Sequence, residues 1–320
     1  MTVSDLPDVG VMLPRDLPID QVLPFARRAE ELGFVELWVV EDLGFRGGVA
    51  QAATVLSATT TIRVGVGILP AGARNVAFAA MEAATLAQLH PNRVTIGIGH
   101  GMPEWMRQVG AWPASPLGLL RDWTRVFRTL LRGDVASDAQ HVHVEGTALT
   151  EIPSSPPSVL LGVRGPRSLE AAGDVADGVV LAEPSPPPYI ASAIARMDAG
   201  GSGPHRVVAY DLAAVAGTDE EAYAQVRPAL APLGEPDWRP HLLALPFVDD
   251  LAALRSSCGG PDEFAAALPD EWIPQLALAG TVERVRSALA ARRAAGASTS
   301  VLIPVADDPL AALSRLATVL

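Results

Sequence analysis

The chain has 320 residues, 49% of them apolar, and a net charge of −12, so it can bury a sizeable core and is a poor partner for nucleic acid or an anionic membrane. All 24 basic residues are arginine, which removes Schiff-base aldolases, pyridoxal-phosphate enzymes and Walker-type nucleotide binding, each of which needs a lysine. The lone Cys258 excludes an internal disulfide, and with neither a basic, apolar leader nor an apolar run long enough to span a bilayer, a cytoplasmic protein is expected.

Residues 9–13 read as a buried strand. A helix follows over 20–32, with Asp20 as its expected N-cap and Gly33 as its stop. Next come a strand at 36–40, a helix at 49–57, a strand at 63–69, a helix at 75–89 and a strand at 93–99. The strands are continuously apolar, the pattern of a parallel sheet covered by helices. After a helix at 115–131, the alternating run His141-Val-His143-Val-Glu145 suggests a hairpin. The rhythm then resumes with strands at 158–161, 178–181 and 206–215, separated by helices at 166–175 and 186–197. Thr218 and Glu221 form a capping-box pattern before a helix at 218–230. Residues 234–280, rich in Pro and Trp, read as an insertion of short helices. A helix at 281–295 and a strand at 299–304 follow, and residues 309–320 close the chain.

Eight strands alternating with helices in one chain of this length predict a (β/α)₈ barrel, a single domain over 1–320 whose helical insertion precedes the last helix and strand. The alternative, an open doubly wound sheet, lacks the G-x-G-x-x-G fingerprint after its first strand. In such barrels the chemistry sits at the C-terminal strand ends. The third and fourth strands end in Val-Gly67-Ile68 and Gly97-Ile-Gly99-His100-Gly101, so side chains are cleared where something flat can approach the backbone.

The fifth strand runs into Gly162-Val163-Arg164-Gly165-Pro166-Arg167-Ser168. A glycine turn opening a helix suits a phosphate, with Arg164 or Arg167 adding charge. An ordinary turn with proline in the first helical position is the plain alternative. Glu41 and Asp42 follow the second strand as candidate acid, base or ring-nitrogen partner, against a simple ion pair of either with Arg46. His100 is a candidate proton relay or hydrogen-bond donor. Trp105 and Trp112 could wall an aromatic ligand, although core packing is the commoner reason for either. His141 and His143 share a strand face, but no third metal ligand follows at useful spacing.

Taken together, Ala29-Glu-Glu-Leu-Gly-Phe34, Leu37-Trp-Val-Val-Glu41, Ile62-Arg-Val-Gly-Val-Gly-Ile68, Gly97-Ile-Gly-His-Gly101 and Gly165-Pro-Arg167…Ala176-Asp-Gly178 resemble the bacterial luciferase-like superfamily. The resemblance covers nearly the whole chain except about 234–280. It implies a barrel using FMN or the deazaflavin coenzyme F420, with a non-proline cis peptide at Gly67–Ile68 behind the ring and a phosphate site at Gly165-Pro166-Arg167. It further implies a flavin-type oxidoreductase acting on a small organic substrate, a monooxygenase if the cofactor is FMN, and a homodimer as the common assembly. Many deazaflavin relatives carry Asp-His after the second strand. Here Glu41-Asp42 stands in its place, and His100 is the substitute to examine. The competing readings are a non-catalytic barrel that binds a flavin or metabolite, and a barrel hydrolase using Glu41, Asp42 and His100.

Overall fold

The computed structural model describes residues 6–320. Its strands are β1 (Asp8–Met12), β2 (Glu36–Val39), β3 (Arg63–Pro70), β4 (Val94–Gly99), β5 (Ser158–Gly162), β6 (Gly178–Leu181), β7 (Arg206–Val215), β8 (Leu278–Gly280) and β9 (Thr299–Pro304). All pairings are parallel. They run from β1 through β7 in order, then to β9 and back to β1, so eight strands close into a barrel. This is the (β/α)₈ fold expected, with each strand close to its expected place. The capping box at Thr218 and Glu221 forms, Thr281 caps its helix, and Gly33 takes the left-handed conformation expected of a helix stop, φ +93°.

Four local expectations fail. Asp20 is not an N-cap: it lies inside a 3₁₀ turn, Ile19–Gln21, and the α-helix starts only at Val22. The hairpin around His141–Glu145 is reduced to two isolated bridges, Ala136–Thr147 and Ala139–Val142. The helix after Thr218 loses α-geometry at Val226 and continues as a 3₁₀ turn through Gly234, because Pro228 and Pro232 supply no N–H for the α-ladder. The inserted segment contains not only the short helices Arg239–Leu242, Val248–Ser257, Pro261–Ala267 and Ile273–Leu276 but also β8. That strand pairs with Ala213–Val215, where the ten-residue β7 overhangs its neighbour β6.

Strand residues alternate between two packed layers, as the period of a strand requires. Val9, Val11, Leu37, Val39, Val64, Val66, Ile96 and Ile98 pack with the surrounding helices. Trp38, Leu160, Val180, Val208, Tyr210 and Val301 form the second layer, inside the barrel. The insertion joins this inner layer through Leu242, Leu251, Phe264, Ile273 and Leu276, so it roofs part of the barrel rather than hanging outside it. No helix among the described residues is long and apolar enough to cross a membrane.

At the N-terminal strand ends, buried Glu36 accepts from Trp38 Nε1 at 2.9 Å, Arg63 Nε at 3.1 Å and Arg206 Nη2 at 2.5 Å. Arg63 also holds Asp8 at 2.5 Å. A cavity of about 200 Å³ opens at this end beside Arg63, Thr95, Ser158 and Arg206. It lies opposite the strand ends where barrels do chemistry, and its arginines are already committed to Glu36, so it belongs to the closure of the barrel floor.

Trp38 meets Tyr210 edge-on, with ring centroids 5.8 Å apart at 75°, a favoured aromatic geometry. Gly65 is the partner of Trp38 on β3, and a Cβ there would overlap the indole. Gly65→Ala should therefore overpack the barrel and cost about 1–3 kcal/mol, read as a lower urea midpoint at unchanged m-value; an unchanged midpoint would contradict this packing.

Candidate active site at the barrel mouth

β3 is bulged where it meets β4. Val66 pairs with Ile96 and Leu69 with Ile98, so Gly67 and Ile68 together oppose Gly97. The Gly67–Ile68 peptide is cis, as the resemblance implied. The structure also revises what the glycines do. A Cβ on Gly97 would meet Ile68 Cγ2 at 3.1 Å, and one on Gly99 would meet Ile68 Cδ1 at 3.0 Å. A Cβ on Gly162 would collide with the same side chain. On Gly97 and Gly99 the Cβ would come closer still to backbone carbonyls, Val66 O at 2.6 Å and Gly162 O at 2.8 Å, so the cleared strand ends admit both a close backbone approach and Ile68. That half-buried side chain lies across the ends of β4 and β5 and forms an apolar ledge. Gly67 has a different neighbour, since a Cβ there would lie 2.5 Å from the Tyr210 hydroxyl.

Glu41 and Asp42 are both engaged, but not by Arg46, the partner considered from sequence. Glu41 accepts from Arg74 Nη1 at 2.8 Å and Nη2 at 3.0 Å, and from Gly48 N at 2.8 Å at the start of the helix Gly48–Ala58. It is a helix-capping anion in a two-pronged arginine clamp. Asp42 pairs with Arg15 at 2.8 Å. Arg46 binds instead Gln51 Oε1 and the carbonyls of Leu17 and Pro14. The expected Arg46 pair is wrong because sequence proximity does not govern which carboxylate a long arginine reaches. Any acid–base use of Glu41 or Asp42, as in the hydrolase reading, would act from within these ion pairs.

His100, half-buried at the end of β4, lies 3.3 Å from Ser168 Oγ through Nε2. Burial lowers its pKa, partly offset by a hydrogen bond to the Pro116 backbone. The contact ties β4 to the turn after β5. In that turn Gly165 faces open space, and the helix Pro166–Val175 starts with no side-chain cap. The two arginines separate. Arg164 is strapped to the insertion: it donates to the Asp237 carbonyl at 2.8 Å and lies 5.5 Å over the Trp238 ring. Arg167 is exposed and makes no hydrogen bond or ion pair among the described residues. Val163 is buried beneath the turn. Trp112 lies under Arg107, 5.3 Å away. His141 and His143 do not converge: the first binds Asp122 at 2.7 Å, the second Asp138.

Sequence reasoning passed over the loop after β6. Ala182-Glu183-Pro184-Ser185 there contains a second cis bond, Glu183–Pro184. Ser185 N donates to Asp211 Oδ1 at 3.0 Å. Asp211 is fully buried and forked by Arg292 at 2.7 and 3.0 Å. Glu183 itself is half-buried and has no hydrogen bond or ion pair to a side chain among the described residues. Burial, aided by the negative fields of Asp211 and Asp42 and opposed by its own backbone N–H and Arg164, pushes its carboxyl up to about 7. Nearby, the hydroxyls of Tyr189 and Tyr210 and both ring nitrogens of His241 are buried without a hydrogen-bond partner. Burial, and then Arg164, lower His241 to about 4, against the carbonyls of Pro184 and Ala182, so its ring is neutral. His241 packs on Tyr189 at 5.0 Å and on Trp238 at 5.7 Å. The signal available in the sequence was an acid directly after a barrel strand, masked by the proline run that follows.

The Asp211–Arg292 pair anchors this loop. Arg292→Met should strand the Asp211 charge and cost about 3–5 kcal/mol in unfolding free energy, whereas Asp211→Asn with Arg292→Met should recover most of the loss. A single variant as stable as the parent would contradict the anchoring.

A family profile described as luciferase-like monooxygenase matches residues 1–299. A 5,10-methylenetetrahydromethanopterin reductase of Methanolobus tindarius is 27% identical over 237 residues, 70% of this chain and 71% of the relative. An F420-dependent glucose-6-phosphate dehydrogenase of Mycobacterium avium (strain 104) is 30% identical over 131 residues, 38% of each chain. Among solved structures, the coenzyme F420 dependent tetrahydromethanopterin reductase from Methanopyrus kandleri superposes with a TM-score of 0.82 at 19% identity, covering 98% of this chain and 97% of that one. The oxygenating constituent of 3,6-diketocamphane monooxygenase from Pseudomonas putida, in complex with FMN, gives 0.73 at 16% identity, with 98% and 97% covered. With the bulge, the closed barrel and the glycine turn in place, the chain belongs to the luciferase-like monooxygenase family.

Proposed function

We propose that the chain is an oxidoreductase that passes hydride between a flavin-type cofactor and a small organic substrate, with coenzyme F420 the favoured cofactor. One observation carries the reading. Gly162, whose missing side chain admits Ile68, opens the same turn that presents Gly165 and Arg167. An apolar ledge for a flat ring and an uncapped, arginine-flanked helix start for a phosphate are therefore contiguous. Both FMN and F420 carry a phosphate, so the residues fit the group. The mycobacterial relative named for F420 supports that choice. FMN is the second reading, and with it a monooxygenase.

The cofactor supplies the hydride chemistry, and the chain supplies binding, orientation and exclusion of water. Gly67 and Ile68 would back the ring, with Gly97 and Gly99 holding the ledge flat. His100, whose pKa burial lowers, would offer a hydrogen bond beside the turn. Arg167, with Gly165 and Pro166, would hold the phosphate. Arg164 would act on the insertion instead, keeping Trp238 and His241 over the mouth. Glu41 would position the start of the helix Gly48–Ala58 and Arg74 rather than carry a proton. The substrate would enter under the insertion, which shares the barrel's inner layer; on that ground we treat barrel and insertion as one domain.

Fluorescence titration with F420 and with FMN, separately, tests this. F420 should bind, and Arg167→Ala should weaken binding about tenfold, the worth of one charge-assisted hydrogen bond. Binding of neither cofactor would sink the reading. Binding without hydride exchange across a panel of donors would favour a barrel that binds its cofactor without turnover.

A further inference from the structure

Glu41, Asp42, Asp211 and Glu183 are carboxylates of intermediate or no exposure on β7 or in the loops after β2 and β6, and three of the four are spoken for. Glu41 is clamped by Arg74, Asp42 by Arg15 and buried Asp211 by Arg292. Glu183 alone of this group has no cation or hydrogen-bond donor from a side chain among the described residues. Its backbone is held firmly, since Ser185 next to it is bonded through N to Asp211 and through Oγ to the carbonyls of Leu181 and Ala182. The carboxyl senses Asp42 from the wall opposite β6 as well as Asp211 from β7 and Arg164 from the β5 turn.

Around it stand buried polar atoms: the hydroxyls of Tyr189 and Tyr210, which have no hydrogen-bond partner, and the neutral His241 ring from the insertion, which feels the carbonyls of Pro184 and Ala182 without a well-formed hydrogen bond to either. Buried polar atoms of this kind are satisfied by water or by a ligand. They point to a polar substrate group entering beneath Trp238 and His241.

We propose that Glu183 is the catalytic acid–base of this enzyme, exchanging a proton with the heteroatom of a substrate that cycles between an alcohol and a ketone or between an amine and an imine. The inference rests on the hydride-transfer reading above. In the oxidative direction the substrate C–H bond breaks and its electron pair leaves with the hydrogen as hydride to the deazaflavin. The O–H or N–H bond breaks, its proton passes to ionised Glu183, and the carbon–heteroatom double bond forms. Reduction reverses each transfer and requires Glu183 protonated. Glu183 thus takes the role that the missing histidine after β2 leaves open, and His100, turned to Ser168, does not. Because the carboxyl is poised at about 7, kcat/KM for oxidation should rise with pH through that value and kcat/KM for reduction should fall.

The experiment has two arms. Infrared difference spectra of the cofactor-free protein should show a protonated-carboxyl band lost between about pH 6 and 8 and absent from Glu183→Gln. With F420 bound, a panel of secondary alcohols, ketones, secondary amines and imines should be turned over, and Glu183→Gln should lower kcat by about 10²–10⁴-fold at unchanged F420 affinity. Glu183→Asp should retain part of the rate with a displaced pH profile, which separates chemistry from a folding defect. Normal F420 binding with a Glu183 band that titrates below about pH 5, with no turnover of the panel, or with wild-type kcat in Glu183→Gln, would overturn this inference alone. Failure of F420 and FMN to bind would remove the functional reading and this one with it.

Discussion

The interior of this barrel closes only because glycine stands wherever a large side chain crosses it. Trp38 lies where a Gly65 side chain would be, and Ile68 lies where that of Gly162 would be and close against Gly97 and Gly99. The first crossing packs the middle of the barrel, where Trp38 meets Tyr210 and is pinned by Glu36. The second packs its mouth. A native core has no spare volume, so the glycines and the residues that use their space form one unit. Losing a glycine would lift Ile68 off its seat, and losing Ile68 would open a gap beneath the ledge.

Electrostatics at the two ends of the barrel follow opposite rules. At the floor, Glu36 is satisfied by Arg63, Arg206 and Trp38, and the arginines are in turn shared with Asp8 and Thr95. Such a closed network suits a structural end. At the mouth, arginines likewise neutralise Glu41, Asp42 and Asp211, but Arg167 and Glu183 have no side-chain partner among the described residues. One is a cation without an anion at an uncapped helix start, the other a carboxyl without a cation among unpartnered hydroxyls. Unfinished pairings gathered at the strand ends mark where a ligand would complete the structure.

The barrel was legible because parallel buried strands leave continuous apolar runs punctuated by glycine and proline. That is why strands such as 178–181 and 206–215 emerge from the sequence with their observed bounds. Strand β8 was not legible: Leu278-Ala-Gly280 carries no pattern of its own and forms because β7 overhangs. The site was legible as loops rather than as roles. Glycines read as room for a ligand also make room for Ile68 and for neighbouring backbone, since an absent side chain does not say what fills its place. Arg74 is farther in sequence from Glu41 than Arg46 is, yet it is the one that binds. Asp211, a lone acid in an apolar strand, revealed nothing of Arg292, and Glu183 was hidden by the prolines behind it.

The central claim is that a flavin-type ring rests on the Ile68 ledge with its phosphate at the Gly165 turn. A crystal structure of the protein with F420 tests this most directly. The ring should lie against Gly67 and Ile68, the phosphate within hydrogen-bonding distance of Arg167, and the open face of the ring should turn toward Glu183. A cofactor seated elsewhere, or a phosphate held away from the Gly165–Arg167 turn, would contradict it.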